Sequence, residues 1–394
     1  MKKNIPYSRQ CISDDDIREV VETLRSDWLT QGPKVKEFEE ALCRYTGAEY
    51  CAVLSSGTAA LHLLMLAFGA GKGDRVITSP ITFSASANCA VYTGARPSFV
   101  DIDDMSYHID ARKLEEFLKR EKNRKNVKAV IPVHFMGTVA EIERVCEICR
   151  GYGIKVVEDA AHAFGAGYMS GRGEWERVGS SSRSDAVILS FHPIKHIATG
   201  EGGAVLTNDR KIYEKVVRFR QHGVVRNNKN ARQFRPGQIR QPWFYDIPEL
   251  GFNYRITDFQ CALGISQLKK LDDFVEKRRR LAYAYNEAFR DIKNVRVPFE
   301  RENTSASYHL YVIRVPSAKR DRLYSYLREK GIYAQVNYIP VHMLSYYQSV
   351  LGYRRGDFPV AEKYFEECLS LPLYPSLSGE DQSRVIGAVR RFFA

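Results

Sequence analysis

Short apolar segments alternate with helical segments from about residue 50 to residue 210, and this alternation constrains the fold more than any other feature of the sequence. Alternating strands and helices are typical of an α/β domain with a mainly parallel sheet. Ligands of such sheets bind where the strands end. The predicted strands are Tyr50–Leu54, Arg75–Thr78, Arg96–Val100, Ala129–Val133, Lys155–Glu158, Ala186–Phe191 and Gly203–Thr207.

The two ends of the chain add further predicted elements. Ser13 can cap a first helix, and Pro33 suits the first turn of a second one. Because 394 residues can form two domains, we predict a large domain over residues 1–260 and a smaller α+β domain over residues 261–394. The later predicted elements are a helix over Asp258–Phe289 interrupted near Leu271–Asp273, strands at Tyr308–Val315 and Ile332–Val336, and a closing helix after Ser378.

The sequence carries 59 basic and 47 acidic residues, a formal net charge of +12. Such an excess suits nucleic acid, a membrane surface or an acidic small substrate. No nucleic-acid-binding pattern accompanies it, no apolar run could span a bilayer, and the nine histidines show no zinc-ligand spacing. The N-terminal residues lack the apolar core of a signal peptide. We therefore expect a cytoplasmic protein without a nucleic-acid, membrane or metal partner, and favour an anionic substrate.

Lys195 lies in a short loop between two predicted strands, in the run SFHPIKHIATGEGG (190–203). A lysine at a strand end is well placed to form a Schiff base with an aldehyde cofactor, and such a site can hold its amine partly neutral. Most lysines are instead solvated surface groups. The position alone therefore leaves both interpretations open.

Three other strand ends carry groups that suit the same cofactor. Ser56, Gly57 and Thr58 open a helix whose free N–H groups and hydroxyls can bind phosphate, although an ordinary helix cap would look the same. Asp159 can pair with a protonated pyridine nitrogen, or can simply cap the residues that follow. Phe83 can stack on a planar ring, or can be a core residue. Together with the lysine, these groups fit pyridoxal 5'-phosphate (PLP) better than any other common cofactor.

Five motifs in the same order resemble the DegT/DnrJ/StrS sugar aminotransferases, and the resemblance covers nearly the whole chain. It implies a type I PLP-dependent aminotransferase fold and a homodimer whose active sites lie at the subunit interface. The motifs are SSGTAALHL (55–63), ITFSASAN (81–88), EDAAHAFGA (158–166), SFHPIKHIATGEGGAVLTND (190–209) and GFNYRITDFQCALGISQL (251–268).

The resemblance also implies roles for single residues. Lys195 matches the Schiff-base lysine, and Asp159 matches the partner of the pyridine nitrogen. Phe83 matches the stacking position, and His162 a position close to the ring. The implied phosphate contacts are Gly57, Thr58 and Ser190, with Asn253 reaching the phosphate in the partner subunit's site.

Within the family, Tyr7-Ser8 and the segments 28–32 and 333–341 resemble the branch that aminates C4 of a UDP-linked 4-keto-6-deoxy-N-acetyl sugar with L-glutamate, on the route to pseudaminic acid. Residues 169–183 and 227–247 look longer than the family pattern and are expected near the active site. The implied sugar contacts are Tyr7, Trp28, Leu29, Thr30, Gln335, Val336, Asn337 and Tyr338.

Three alternatives accompany this interpretation. The first is an aminotransferase that acts at C4 or C3 of a different nucleotide keto sugar. The second is a PLP-dependent sugar dehydratase of the same family, in which histidine replaces the lysine, so Lys195 argues against it. The third is a non-enzymatic regulator on the same fold that binds nucleic acid through its basic loop, against which the intact Lys195, Asp159 and Ser190 count.

Overall fold

The structure, a computed structural model, describes residues 4–226 and 243–394. Its strands are β1 (Tyr50–Leu54), β2 (Arg75–Thr78), β3 (Arg96–Phe99), β4 (Val127–Ile131), β5 (Lys155–Asp159), β6 (Gly167–Met169), β7 (Trp175–Arg177), β8 (Ala186–Ser190), β9 (Gly203–Thr207), β10 (Val225–Arg226), β11 (Tyr245–Asp246), β12 (Thr304–Ser305), β13 (Tyr311–Arg314) and β14 (Cys368–Leu371).

Helices surround these strands and lead to the closing helix predicted after Ser378. They are α1 (Asp14–Leu24), α2 (Pro33–Thr46), α3 (Gly57–Ala67), α4 (Ala85–Tyr92), α5 (Ala111–Lys119), α6 (Glu121–Arg124), α7 (Ile142–Arg150), α8 (Arg210–Arg220), α9 (Asp258–Leu268), α10 (Leu271–Phe289), α11 (Ser317–Glu329), α12 (Ser345–Ser349), α13 (Pro359–Glu367) and α14 (Gly379–Phe393). No helix in the described ranges is long and apolar enough to cross a membrane.

The central sheet has seven strands in the order β1-β9-β8-β5-β4-β2-β3. The strands β8, β5, β4, β2 and β3 pair in parallel, whereas β9 is antiparallel to both of its neighbours. The parallel strands therefore end at one edge of the sheet, and β9 begins there. This arrangement confirms the predicted α/β architecture with a mixed, mainly parallel sheet, as in type I PLP-dependent aminotransferases.

Alternate residues of each strand face two different cores. Val53 and Val130 pack with α2, α5 and α7 on one side of the sheet. Leu54 and Ile131 pack with α3, α4 and α8 on the other side. Because successive strand residues point to opposite faces, a sheet covered by helices on both sides needs apolar residues at nearly every position. Because helices cover both faces of this sheet, its strands are apolar almost without interruption.

The C-terminal residues form a further core around α10, α11, α14 and the antiparallel pair β13–β14. Ile5, from the other end of the chain, belongs to the same core. Cys261 and Leu271 pack instead in one of the two cores beside the central sheet. The boundary at residue 260 stays a prediction, and both ends of the chain contact the opposite part of the molecule.

Several predicted elements differ from the structure. Ile332–Val336 is not a strand, because Ile332 pairs with Ile5 while Gln335 pairs with Ser370, so no continuous ladder forms. Residues 169–183 contain the β6–β7 hairpin, which pairs with β12 and contributes no side chain to the site described below. Residues 227–242 of the predicted long loop lie outside the described residues.

Candidate active site

A cavity of about 520 Å³ opens at the edge of the sheet where the parallel strands end. Its volume is in the range of small-molecule sites. Strand ends of β1, β5 and β8 form one side, and the segment 335–338 faces them. The predicted site residues that line it are Tyr7, Ser56, Gly57, Thr58, Phe83, Asp159, His162, Ser190, Lys195, Gln335, Asn337 and Tyr338.

Lys195 lies in the loop between β8 and β9, where its backbone N–H donates to the carbonyl of His192 at 2.8 Å. Burial lowers the pKa of its amine to about 8, an effect that Asp159 opposes and Arg278 adds to. A substantial fraction of the amine is therefore neutral near physiological pH. A neutral amine can act as a nucleophile or a base, whereas an ammonium group cannot.

Asp159 ends β5, is 6% exposed and faces the cavity. Ser86 Oγ donates to its Oδ2 at 2.6 Å, and the N–H of Ala161 donates to its Oδ1 at 3.1 Å. No ion pair to this carboxylate occurs in the described part of the chain. A buried carboxylate that forms no ion pair suits a ligand that supplies a cation, such as a protonated pyridine nitrogen.

Glu158, the neighbour of Asp159 in β5, points to the other face of the sheet. Its carboxylate contacts His134 Nε2 at 2.8 Å and accepts a hydrogen bond from Ser184 Oγ at 2.5 Å. The N–H of Ala140 donates to His134 Nδ1, so the proton of this imidazole lies on Nε2, directed at Glu158. The neighbouring carboxylate is thus engaged away from the cavity, whereas Asp159 faces it.

The start of α3 forms an anion-binding cradle beside Lys195. Ser56 Oγ accepts from the N–H of Ala59 at 3.1 Å and so caps the helix, while Gly57 and Thr58 line the cavity. The first N–H groups of a helix have no partner inside it and attract anions. Ser190, at the end of β8, completes the cradle.

Gly203 allows β9 to pass directly beneath this cradle. A Cβ atom there would lie 2.4 Å from Gly57 N and 2.5 Å from the carbonyl carbon of Ser56. We therefore expect Gly203→Ala to lower the free energy of unfolding by about 1–3 kcal/mol and to weaken PLP binding, measured by thermal denaturation and by PLP titration. Gly379→Ala is the control, because a Cβ at Gly379 meets nothing within 4 Å. Unchanged stability and PLP affinity in Gly203→Ala would contradict this account of the cradle.

Aromatic rings also line the cavity. Phe83 is 59% exposed and therefore not a core residue, and its ring centroid lies 6.2 Å from that of Tyr338. Tyr338 Oη lies 3.2 Å from His162 Nε2. Burial, with Lys195 and His196 nearby, holds the pKa of His162 well below its ordinary value, so this imidazole is neutral. A flat ligand can thus lie among neutral aromatic groups.

Five predicted site residues lie outside this cavity. Val336 is partly buried and packs its side chain against two groups of core residues instead. Trp28, Leu29 and Thr30 form a loop that is held to α9, where the carbonyl of Leu29 accepts from the N–H of Asp258. Asn253 is exposed and pairs with Gln221.

Sequence reasoning did not identify Thr82, Ser86 or Glu201 as site residues. Thr82 and Glu201 line the cavity, and Thr82 Oγ1 lies 2.8 Å from Ser86 Oγ, which holds Asp159. The motif 81–88 carries both hydroxyls, but Thr82 precedes α4, which begins at Ala85, so helical spacing could not have predicted their contact.

The described residues fit PLP at its phosphate, its ring nitrogen and its aldehyde. The cradle at α3 suits the phosphate, the unpaired Asp159 suits the ring nitrogen, and the partly neutral Lys195 suits the aldehyde. Phe83 and His162 line the same cavity, and their aromatic rings suit a planar ring. The structure thus brings together in one cavity the groups that separate motifs predicted.

Comparison with known proteins also indicates a PLP-dependent enzyme. The model of the DegT/DnrJ/EryC1/StrS aminotransferase family matches residues 10–390. The chain is 39% identical to the spore coat polysaccharide biosynthesis protein SpsC of Bacillus subtilis, over 98% of this chain and 96% of that one. It is 36% identical to a UDP-4-amino-4,6-dideoxy-N-acetyl-beta-L-altrosamine transaminase of Campylobacter jejuni, over 96% of this chain and 94% of that one. The solved structure of Helicobacter pylori PseC, an aminotransferase of pseudaminic acid biosynthesis, superposes with a TM-score of 0.89 at 31% identity over 99% of both chains. The chain therefore belongs to the DegT/DnrJ/EryC1/StrS family and is a PLP-dependent sugar aminotransferase.

Proposed function

We propose that this enzyme transfers the amino group of L-glutamate to C4 of UDP-2-acetamido-2,6-dideoxy-β-L-arabino-hexos-4-ulose, in the cytoplasm, as a step of pseudaminic acid biosynthesis. The keto oxygen of the sugar is exchanged for the amino group, and glutamate becomes 2-oxoglutarate. The names of the Campylobacter and Helicobacter relatives support this sugar. The observation that carries the proposal is Lys195, whose amine, with a pKa of about 8, shares one cavity with Asp159.

Different residues of this chain have different roles in the proposed reaction. PLP, when bound, supplies an aldehyde carbon that carries the amino group between the two substrates and a ring that accepts electron density. The neutral Nζ of Lys195 removes the proton from Cα of glutamate and becomes an ammonium group. In the half-reaction with the sugar, the protonated form of the same Nζ delivers a proton to C4 of the sugar. The carboxylate of Asp159 holds a positive charge at the ring nitrogen. The α3 cradle fixes the phosphate, so the reacting atoms stay near Lys195.

The segment 335–338 and Tyr7 are proposed to bind the sugar. Tyr7, Gln335, Asn337 and Tyr338 line the side of the cavity that faces the strand ends. Burial raises the pKa of both tyrosine hydroxyls, so both stay protonated and can donate hydrogen bonds. Hydroxyl and amide groups suit the N-acetyl and keto oxygens of the proposed substrate.

A second copy of the chain is proposed to complete each site. Trp28 is 55% exposed and Leu29 is 48% exposed, and Asn253 also lies on the surface. The family resemblance assigns ligand contacts to all three, yet they lie outside the cavity of their own chain. We propose a homodimer in which these residues reach the cavity of the partner subunit.

The test follows nitrogen from ¹⁵N-glutamate into a panel of sugars. Purified enzyme is incubated with the proposed UDP-4-keto sugar, an unacetylated UDP-4-keto sugar and a non-UDP 4-keto sugar, and products are analysed by mass spectrometry. We expect ¹⁵N in the proposed sugar at C4. Reaction of only the unacetylated or the non-UDP sugar would refute the substrate assignment while leaving the aminotransferase intact.

A different nucleotide keto sugar is the second candidate, because SpsC, a relative of similar length, is named for spore coat polysaccharide biosynthesis. The same panel separates the two candidates. Absorbance distinguishes the enzyme from a non-enzymatic regulator. A preparation of the enzyme should be yellow, and its spectrum should change when glutamate is added. A colourless preparation that ignores glutamate would favour the regulator.

A further inference from the structure

A row of two hydroxyls ends at the carboxylate of Asp159. Thr82 Oγ1 lies 2.8 Å from Ser86 Oγ, and Ser86 Oγ donates to Asp159 Oδ2 at 2.6 Å. Thr82 is 2% exposed and lines the cavity, while Ser86 lies inside the start of α4 and is fully buried. The row therefore connects the wall of the cavity, through the protein interior, to the carboxylate that faces the same cavity.

The hydroxyl of Ser86 does not cap its own helix. A serine near the start of a helix commonly bonds to backbone groups of the same segment. Ser86 Oγ instead bonds to a side chain at the end of β5, 73 positions away. Burying a hydroxyl costs free energy unless it forms hydrogen bonds, and alanine would favour the helix more. The two hydroxyls thus bond to Asp159 and to each other rather than stabilise the helix.

The hydrogen bonds of the row have one direction. Each hydroxyl carries one proton, and a carboxylate carries none. Because the proton of Ser86 is donated to Asp159, the bond between the two hydroxyls is donated by Thr82. Ser86 thus accepts one hydrogen bond while it donates another, and a hydroxyl that does both is held in a single orientation.

Two donors hold the Asp159 carboxylate, one at each of its oxygens. Ser86 Oγ donates to Oδ2, and the N–H of Ala161 donates to Oδ1 at 3.1 Å. The last torsion of an aspartate side chain has broad preferences, so a single bond would let the carboxylate turn. Each carboxylate oxygen can accept about two hydrogen bonds, so each keeps a lone pair after these two. A lone pair is thus left in a fixed position for a ligand in the cavity.

We propose that Thr82 and Ser86 are positioning residues for the transamination, whose hydroxyls fix the Asp159 carboxylate so that a lone pair stays directed at the ring nitrogen of PLP. This role rests on the proposed function of Asp159 at that nitrogen. A hydrogen bond weakens steeply when donor and acceptor are out of line, so a carboxylate that turns stabilises the protonated nitrogen less. The effect depends on the two hydroxyls, not on the volume of their side chains.

The test measures the protonation of the ring nitrogen directly. The full chain is loaded with pyridoxamine 5'-phosphate that carries ¹⁵N in its ring, and the ¹⁵N NMR spectrum is recorded over a range of pH. The chemical shift gives the fraction of protonated nitrogen. In Ser86→Ala we expect the midpoint of deprotonation to fall by about one pH unit relative to the wild type, and kcat/KM for glutamate to fall about tenfold.

Two more variants change the hydroxyls separately. Ser86→Thr keeps the donor to Asp159 and should retain the wild-type spectrum. Thr82→Val keeps the shape but removes the donor to Ser86, so the midpoint should fall by less than in Ser86→Ala. A wild-type spectrum in Thr82→Val and Ser86→Ala, or a shift in Ser86→Thr as large as in Ser86→Ala, would overturn the proposal. If Ser86→Ala does not fold, an unshifted spectrum in Thr82→Val overturns it alone.

Thr78→Val is the matched control for the loss of a buried hydroxyl. Thr78, on β2, is also fully buried, but its Oγ1 donates to the carbonyl of Ile131 at 2.8 Å. Its replacement should lower the melting temperature, as in Ser86→Ala, and leave the ¹⁵N spectrum unchanged. A shift as large as in Ser86→Ala would mean that the spectrum follows stability, and the proposal would fail.

Asp159→Asn separates the role of the hydroxyls from the role of Asp159 itself. If Asp159→Asn has the wild-type spectrum, the assignment of Asp159 is wrong and the proposal is overturned with it. If Asp159→Asn shifts the spectrum while Ser86→Ala and Thr82→Val do not, the roles of the two hydroxyls alone are refuted. The measurement uses no sugar, so it gives the same answer whichever sugar the panel identifies.

Discussion

Lys195→Ala is expected to abolish amino transfer while leaving the protein able to bind pyridoxamine 5'-phosphate. The variant loses the base that moves protons at Cα of glutamate and C4 of the sugar, a contribution of at least about 10²–10⁴-fold. The α3 cradle and Asp159 remain and still hold the phosphate and the ring nitrogen. The rate is measured by ¹⁵N transfer, and binding by the absorbance of the bound vitamer.

Two further variants test whether the loss of activity is specific to the neutral amine at position 195. Lys195→Arg keeps a cation but cannot supply a neutral amine, so it should be as inactive as the alanine variant. Lys215→Ala removes a lysine on α8 whose amine donates to the carbonyl of Ala67, far from the reacting groups, and should keep full activity. Normal turnover in either Lys195 variant would refute the assignment of Lys195 as the base.

The second large effect is expected for Asp159→Asn. The amide keeps the shape of the side chain and can still accept a hydrogen bond from Ser86, but it carries no charge. A carboxylate beside a cation shifts pKa values by about one to three units, equivalent to about 10- to 1,000-fold in the fraction of protonated ring nitrogen. We expect kcat/KM for glutamate to fall by a factor in that range.

Glu158→Gln separates this electrostatic effect from damage to the sheet. Glu158 is the adjacent buried carboxylate, but it contacts His134 and Ser184 on the opposite face. Its replacement should lower the melting temperature while kcat/KM changes less than in Asp159→Asn. Equal losses of kcat/KM with equal losses of stability would mean that Asp159 acts only through the fold.

The local pattern of the sequence was enough to locate most of the large sheet. The bounds of Tyr50–Leu54, Arg75–Thr78 and Gly203–Thr207 were predicted to the residue, because each apolar run is short and bounded by turn-forming or polar residues. The interruption of the long helix falls at residues 269–270, beside the predicted position. The prediction of a strand over residues 332–336 was wrong, because its apolar pattern does not reveal that Ile332 and Gln335 pair with different partners.

By itself, the sequence determined the family, the cofactor and the strand ends that bear Lys195, Asp159 and the cradle, because these depend on short motifs and on local strand and helix periodicity. Only the tertiary structure decided which side chains share the cavity. Ser86 reaches Asp159 across 73 positions, and Arg278 reaches the carbonyl of Leu373 across 95. The tertiary structure also packs Val336 against core residues and places the loop of residues 28–30 beside α9. Hydrogen bonds and charges act over a few ångströms in space whatever the separation along the chain, so packing alone sets these contacts.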